Sequence, residues 1–206
     1  MKWDDKYISG TYQPRKEVSA LIKAVVSEEN GEHKRCLDIA CGNGRNAVFL
    51  AGKGYDVDAV DVSEVALEMA RKRADENNVD VNWILSDLNR FQFIENEYDL
   101  IVVDFYLCGK DMVENIKKSL RIGGMIVYEH HLQTKNDIYR GPSKNNNRLG
   151  SNELLKFFDD MTVLYYRAGV RKVERGVMLI GSIVVRKTSG NVQEYPLEIG
   201  GSMGQK

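Results

Sequence analysis

The chain has 206 residues, 43% of them hydrophobic, and its 29 Lys and Arg residues nearly balance its 30 Asp and Glu residues. This length predicts one domain with a substantial core, and the balanced charge excludes the global positive excess that marks many nucleic-acid-binding proteins. Three cysteines without metal-ligand spacing, a charged N-terminus without a signal peptide and no apolar run near the ~18 residues of a membrane span predict a reduced, cytoplasmic protein.

The N-terminal part predicts a short lead-in over residues 3–10 and then one helix. Pro14 opens a segment with helical spacing of apolar residues, and proline is expected at a helix start. The apolar residues of this segment are Val18, Leu21, Ile22, Val25 and Val26. We expect this stripe to pack on a sheet.

The stretch over residues 35–48 predicts a strand, a glycine-broken turn and a helix. The strand ends at Ile39, and helical spacing runs from Arg45 to Lys53. Gly42 and Gly44 permit positive φ and the close approach of a ligand. The unpaired N–H groups of the helix point into the same crevice. The spacing of these glycines also fits a dinucleotide-binding fingerprint.

Asp38, four residues before Gly42, favours a positively charged ligand over a dinucleotide. A carboxylate at the strand end would face a pyrophosphate, and like charges ~4 Å apart cost about 4 kcal/mol at an effective dielectric near 20. S-adenosylmethionine carries an ammonium and a sulfonium and would gain from the same carboxylate. The alternative is that Asp38 only caps the turn.

Further strands alternate with helices along the chain. We predict strands over 55–61, 81–86, 98–104 and 125–129, with a helix over about 64–77 capped by Ser63 and another around 111–120. This alternation is typical of a doubly wound α/β sheet. Right-handed crossovers then bring the glycine turn, Asp61, Asp87 and Asp104 to one edge of the sheet.

The C-terminal part changes character after residue 132. Residues 133–149 are polar and turn-rich, which predicts a lid or binding loop, with disorder as the alternative. A helix over 151–158 follows, and strands over 162–166 and 178–185 predict an antiparallel pair joined by a basic connection from Arg167 to Arg175. We expect one domain over 1–188, with the lead-in and helix at 1–30 and the lid at 132–150, and a tail over 189–206.

The chain resembles the class I S-adenosylmethionine-dependent methyltransferases over roughly Leu37 to Lys187. Five motifs fall in the order of that family: Leu37–Gly44, Val60–Ser63, Ser86–Leu88, Tyr98–Ile101 and Leu120–Gly124. Trp3 to Tyr7, Cys41 to Asn46 and Asn152 to Leu155 look most like the small-molecule branch, which includes tellurite-resistance-type and thiol methyltransferases. The resemblance implies a doubly wound, seven-stranded Rossmann-like sheet, mostly parallel, with an antiparallel strand near the C-terminal edge.

The resemblance implies S-adenosyl-L-methionine as cofactor, S-adenosyl-L-homocysteine as product, and a role for each site position. Asp61 would accept both ribose hydroxyls, Asp87 would accept the adenine amino group, and Asp38 with the carbonyl of Ala40 would hold the methionine ammonium. The other implied cofactor contacts are Tyr7, Cys41, Gly42, Asn43, Gly44, Asn46, Val62, Ser86, Leu88 and Asp104. The alternative for Asp61 and Asp87 is that each carboxylate only caps the next element.

Methyl transfer from a sulfonium is an in-line displacement that needs alignment and exclusion of water, so no catalytic triad is required. Tyr106 follows the fourth strand, where the methyl group should emerge, and either lines the methyl channel or packs. His130, beside His131, is the candidate general base. The alternative is one inward-packing and one solvated histidine. The lack of prolines over 104–107 disfavours the nucleic-acid amine methyltransferases.

We therefore expect a methyltransferase that acts on a small-molecule acceptor, as a monomer or homodimer, without a metal, a membrane partner or a strong nucleic-acid signature. Three alternatives stay open. The chain could be a non-catalytic S-adenosylmethionine-binding regulator, it could methylate a protein or RNA, or it could be a nucleotide-dependent oxidoreductase, which Asp38 disfavours.

Overall fold

The computed structural model describes residues 3–27, 31–142, 144–173 and 176–190. Most of the predicted tail and Arg175 therefore lie outside the described residues. The helices are α1 (Trp3–Ile8), α2 (Ala20–Val26), α3 (Arg45–Ala51), α4 (Glu64–Asn77), α5 (Lys110–Ser119), α6 (Glu153–Phe157) and the 3₁₀ helix Asn145–Asn147. The strands are β1 (Arg35–Ile39), β2 (Asp56–Asp61), β3 (Asn82–Leu85), β4 (Tyr98–Asp104), β5 (Leu120–His131), β6 (Thr162–Val173) and β7 (Gly176–Arg186).

The seven strands form one sheet in the order β3-β2-β1-β4-β5-β7-β6. The first five strands pair in parallel, whereas β7 is antiparallel to both of its neighbours, β5 and β6. The predicted sheet, mostly parallel with an antiparallel strand near the C-terminal edge, is confirmed. The strand order reverses direction between β1 and β4, which is where open α/β sheets bind ligands.

Helices cover both faces of this sheet. Leu100 and Val102 of β4 pack with α2, α3 and α4 on one face, and Ile101 and Val103 pack with α5 and α6 on the other. This burial on both faces explains the continuous apolar centre of β4. The bounds of α4 and β4 agree with the sequence prediction, and no helix in the described part of the chain has the length and apolar character to cross a bilayer.

The predicted start of the second helix at Pro14 is wrong. The helix begins at Ala20, because the Ser19 hydroxyl caps it by accepting a hydrogen bond from the Ile22 N–H (3.4 Å). The same hydroxyl donates to Glu129 (2.7 Å), so a tertiary contact fixes the boundary.

β5 and β6 extend furthest beyond their predicted bounds. β5 continues through His130 and His131, and β6 contains Arg167, Arg171 and Lys172, which the sequence prediction placed in a connection.

Candidate functional site

The glycine turn after β1 requires its glycines for two different reasons. At Gly44, with φ of 71°, an added Cβ would lie 2.7 Å from both the Cβ of Ala70 and the ring of Trp83. At Gly42, with φ of 56°, an added Cβ would approach the Tyr7 hydroxyl to 3.1 Å. Gly44 therefore permits close packing of the turn on α4 and β3, and Gly42 keeps the crevice side open.

Asp61 connects the end of β2 to the glycine turn. Its carboxylate accepts hydrogen bonds from the N–H groups of Gly42 (2.8 Å) and Ser63 (2.9 Å). Burial raises the pKa of Asp61, although the N–H groups of Ser63, Gly42 and Val62 oppose the rise. A carboxylate has about four acceptor positions, so these three donors leave capacity for a ligand.

Asp38 and Asp104 place two buried carboxyl groups at the ends of β1 and β4. Oδ2 of Asp38 and Oδ1 of Asp104 are buried and have no hydrogen-bond partner among the described residues. Burial, with a smaller contribution from Asp104, raises the pKa of Asp38 to about 8 against the opposing effects of Arg45 and the Ala47 N–H. The pKa of Asp104 is also raised by burial, and Arg45 opposes that rise. Arg45 and Arg15 oppose the rise at Asp104, and Arg45 opposes the rise at Asp38, but both pKa values stay raised, which suits a cationic ligand.

Residues 15–19, here called the strap, cross the site without regular secondary structure. The side chains that follow the glycine turn hold its main chain: Asn43 Nδ2 donates to the Arg15 carbonyl (3.1 Å) and Arg45 Nη1 donates to the Glu17 carbonyl (2.6 Å). Asn46 Oδ1 accepts from the Ser19 N–H (3.1 Å). The predicted ligand contacts Asn43 and Asn46 therefore bind the strap through their side chains.

Arg45, which the sequence analysis did not select, organises this region. Its second guanidinium nitrogen pairs with Asp104, and Asn46 Nδ2 donates to the same carboxylate oxygen (2.9 Å). Arg45 is only 8% exposed. Buried arginines of this kind carry no motif, because their partners are distant in the sequence.

Helix α1 covers the crevice with an aromatic cluster. Tyr12 makes edge contacts with Trp3 and Tyr7, at ring-centroid distances of 5.4 and 5.2 Å. Asp4 anchors the helix by accepting from the Ser63 hydroxyl (2.6 Å) at the start of α4. Burial raises the pKa of Tyr7, whose hydroxyl lies beside the glycine turn.

Phe105 and Tyr106 directly follow Asp104, the last residue of β4. Phe105 has φ of 66°, an unusual backbone conformation for a non-glycine residue. The Arg15 guanidinium lies 3.3 Å from its ring centroid, and the His131 ring lies 4.9 Å away. The main-chain carbonyl of Tyr106 accepts from the Tyr128 hydroxyl (2.9 Å), which fixes this loop.

Both histidines at the end of β5 are buried, so the alternative with one solvated histidine is wrong. Nε2 of His130 lies 3.1 Å from the Asn147 carbonyl, and Nδ1 of each ring lacks a partner among the described residues. Burial lowers the pKa of His130, and burial followed by Arg15 lowers the pKa of His131 to about 3. Both rings are therefore neutral at physiological pH.

The remaining predicted positions lie around the ends of β1, β2 and β3. Cys41 is buried in the turn, Val62 is exposed after β2, and the Ser86 N–H donates to the Asp61 carbonyl (3.0 Å). Asp87 is exposed and accepts from the N–H and the side-chain amide of Asn89, both at 2.9 Å. The capping contacts named as alternatives for Asp61 and Asp87 are thus present. The other positions are Ala40 in the turn, with φ of 53°, and buried Leu88.

Known proteins resemble the chain in sequence. Residues 36–124 match the family model of a methyltransferase domain. The "Probable S-adenosyl-L-methionine-dependent methyltransferase TehB" of Haemophilus influenzae is 26% identical over 147 residues, which cover 68% of this chain and 50% of that protein. The ubiquinone biosynthesis O-methyltransferase of Rickettsia felis is 34% identical over 120 residues, covering 56% and 49%. The chain thus spans about half the length of these curated relatives.

Solved structures share the fold. The crystal structure of TehB from Haemophilus influenzae matches with a TM-score of 0.72 at 22% identity, covering 90% of this chain and 67% of that one. An S-adenosylmethionine-dependent methyltransferase from Methanosarcina mazei matches with a TM-score of 0.65 at 17% identity, covering 84% and 99%. At these identities the likeness concerns the fold alone.

Proposed function

We propose that this chain, which carries a class I S-adenosylmethionine-dependent methyltransferase domain, transfers a methyl group from S-adenosylmethionine to a small-molecule acceptor. S-adenosylmethionine is the cofactor that the domain family and the fold imply. The observation that carries the proposal is the unpartnered, buried oxygen of Asp38 beside the glycine turn. A buried acidic group without a partner fits a ligand that brings a positive charge.

The residues at the crevice fit such a cofactor. Asp38 and the carbonyl of Ala40 would hold the methionine ammonium, and Asp61 would accept the ribose hydroxyls with its remaining acceptor capacity. Asp87 and the Leu88 N–H would bind the adenine. The bound cofactor supplies an electrophilic methyl group, and the protein contributes alignment and a dry site.

The acceptor would approach past Phe105 and Tyr106, on the side of the two histidines. Tyr106 would line the path of the methyl group. His130 is the candidate base, because its ring is neutral and its Nδ1 has no hydrogen-bond partner among the described residues. This nitrogen could therefore accept a proton. Helix α1 and the strap cover the crevice, and this enclosure favours a small acceptor over a nucleic acid or a folded protein. The ubiquinone biosynthesis O-methyltransferase relatives agree with a small acceptor.

Two measurements test the proposal. Calorimetry should detect binding of S-adenosylmethionine and S-adenosylhomocysteine, and NADH should bind more weakly or not at all. Transfer of a labelled methyl group should then be measured with thiols, amines and carboxylic acids, and in parallel with total RNA and cell protein. Tight NADH binding would contradict the cofactor, label in RNA or protein would contradict the acceptor class, and binding without any transfer would indicate a regulatory binder.

A further inference from the structure

The loop between β5 and α6 surrounds a cavity of about 680 Å³, here called the loop cavity. Its lining residues all lie between Thr134 and Arg148. This volume lies within the range of small-molecule sites, which is about 300–1,000 Å³. Three basic residues and one acidic residue line the cavity, so its wall carries a positive formal charge: Lys135, Arg140, Arg148 and Asp137.

Arg148 is the buried charge of this wall, with 6% of its surface exposed. Its guanidinium donates to the main-chain carbonyls of Pro142 (2.8 Å), Leu132 (3.2 Å) and Tyr139 (3.3 Å). Within the described ranges Arg148 forms no ion pair, although burying an uncompensated charge is costly. A guanidinium has five N–H groups, so the three carbonyls leave two for a ligand.

The loop cavity lies next to the acceptor side of the site. Gly141 lines the cavity, and a Cβ added to it would lie 2.6 Å from Nδ1 of His131. The His131 ring in turn lies 4.9 Å from the ring of Phe105, which directly follows β4. One imidazole layer therefore separates the cavity wall from the residues where the methyl group is proposed to leave.

We propose that the loop cavity is a subsite for an oxyanion group, a carboxylate or a phosphate, which the acceptor carries at a distance from the atom that is methylated. This inference rests on the proposed function, because it assigns the acceptor to anionic small molecules. Arg148 binds the oxyanion with the guanidinium fork that suits such groups, and Lys135 adds a second positive charge. The three carbonyls that hold Arg148 keep the fork in place before the acceptor arrives.

The test is a titration of the protein saturated with S-adenosylhomocysteine, using inorganic phosphate in one series and acetate in another, at constant ionic strength. Nuclear magnetic resonance of the Arg148 Nε–H and the Gly141 amide reports the cavity directly. Lys135→Gln removes one charge from the cavity wall. Lys144→Gln is the matched control, because Lys144 is exposed in the same loop and does not line the cavity.

We expect saturable shifts of both resonances, about threefold or more weaker binding in Lys135→Gln, and unchanged binding in Lys144→Gln. The series that saturates at the lower concentration identifies the oxyanion. No saturable shift, or equal weakening by both substitutions, would overturn the subsite. If S-adenosylhomocysteine does not bind, that result contradicts the proposed function and not the subsite. The phosphate titration of the free protein then measures binding to the loop cavity alone.

Discussion

Raising the pH from about 6 to about 7 should strengthen the binding of S-adenosylmethionine, because Asp38 has to lose a proton before it can pair with the methionine ammonium. Burial raises the pKa of this carboxyl to about 8, with a further contribution from Asp104, against the opposing effects of Arg45 and the Ala47 N–H. At pH 7 about nine molecules in ten would therefore carry the proton in the free protein. The free protein binds more protons than the complex, so affinity rises with pH.

The size of the effect follows from this ionisation. Well below pH 8, the fraction of ionised Asp38 increases about tenfold for each pH unit, and the observed affinity should increase by the same factor if the complex holds the carboxylate ionised. An α-amino group titrates at about 7.7–8.0, so the ammonium of the ligand loses its charge above that range. The pH profile should therefore be bell-shaped with a maximum near pH 8.

Calorimetry at neutral pH in buffers of different ionisation enthalpy measures the released protons, and we expect about 0.8 per bound cofactor, because Asp38 releases about 0.9 and the ligand ammonium takes up about 0.1. Asp38→Asn keeps the shape of the side chain but cannot ionise, so it should weaken binding near pH 8 and abolish the rise below it. Asp56→Asn, at the opposite edge of the sheet with a 73% exposed side chain, is the matched control and should leave the profile unchanged. Affinity that is constant over this pH range without proton release would refute the assignment of Asp38.

Three further predictions follow from the site and its supports. Asp61→Asn should weaken S-adenosylmethionine binding about tenfold or more in calorimetry, because it removes charged hydrogen bonds worth about 1.5–3 kcal/mol each; unchanged affinity would remove the ribose assignment. Gly44→Ala should lower the free energy of unfolding by about 2 kcal/mol or more in denaturant titration, because its Cβ would overlap α4 and β3, whereas Gly169→Ala, with no atom within 4 Å of the added Cβ, should not. Burial opposes the ionisation of Glu129, but Arg171 together with the Ser182 and Ser19 hydroxyls outweighs it and lowers the pKa, so these contacts stabilise the fold above the unfolded pKa and are lost as the pH falls through the folded value. The acid unfolding profile of Glu129→Gln should lack the loss of stability that protonation of Glu129 causes. A profile identical to that of the unsubstituted protein would contradict this prediction.

Local patterns in the sequence predict several elements together with their ends. The periodicity of α4 and its Ser63 cap predict both of its ends, and the apolar centre of β4 predicts that strand from Tyr98 to Asp104. The prediction that the glycine turn, Asp61, Asp87 and Asp104 lie at one edge of the sheet follows from the alternation of strands and helices with right-handed crossovers.

Long-range side-chain contacts decide the features that the sequence patterns miss. Ser19 begins α2 because it meets Glu129, 110 residues later, and no local signal encodes that meeting. Arg45 belongs to the site because it binds the Glu17 carbonyl of the strap. Arg15 belongs to it because its guanidinium lies over the ring of Phe105, which follows β4. The positive φ of Phe105 has no signature in its residue type, since the surrounding contacts hold it there.

The strap has a consequence for the order in which the protein matures during synthesis. Residues 15–19 are translated before the strands of the sheet, but Ser19 binds Glu129, which in turn binds Ser182 of β7 (2.6 Å), the last strand of this sheet in chain order. Contacts between such distant segments form late, because closing a long loop costs entropy before the contacts repay it. The contacts of the strap with Asn43, Arg45 and Asn46 can therefore form early on the nascent chain, whereas Ser19 gains its contacts with the sheet only after β5 and β7 have been translated.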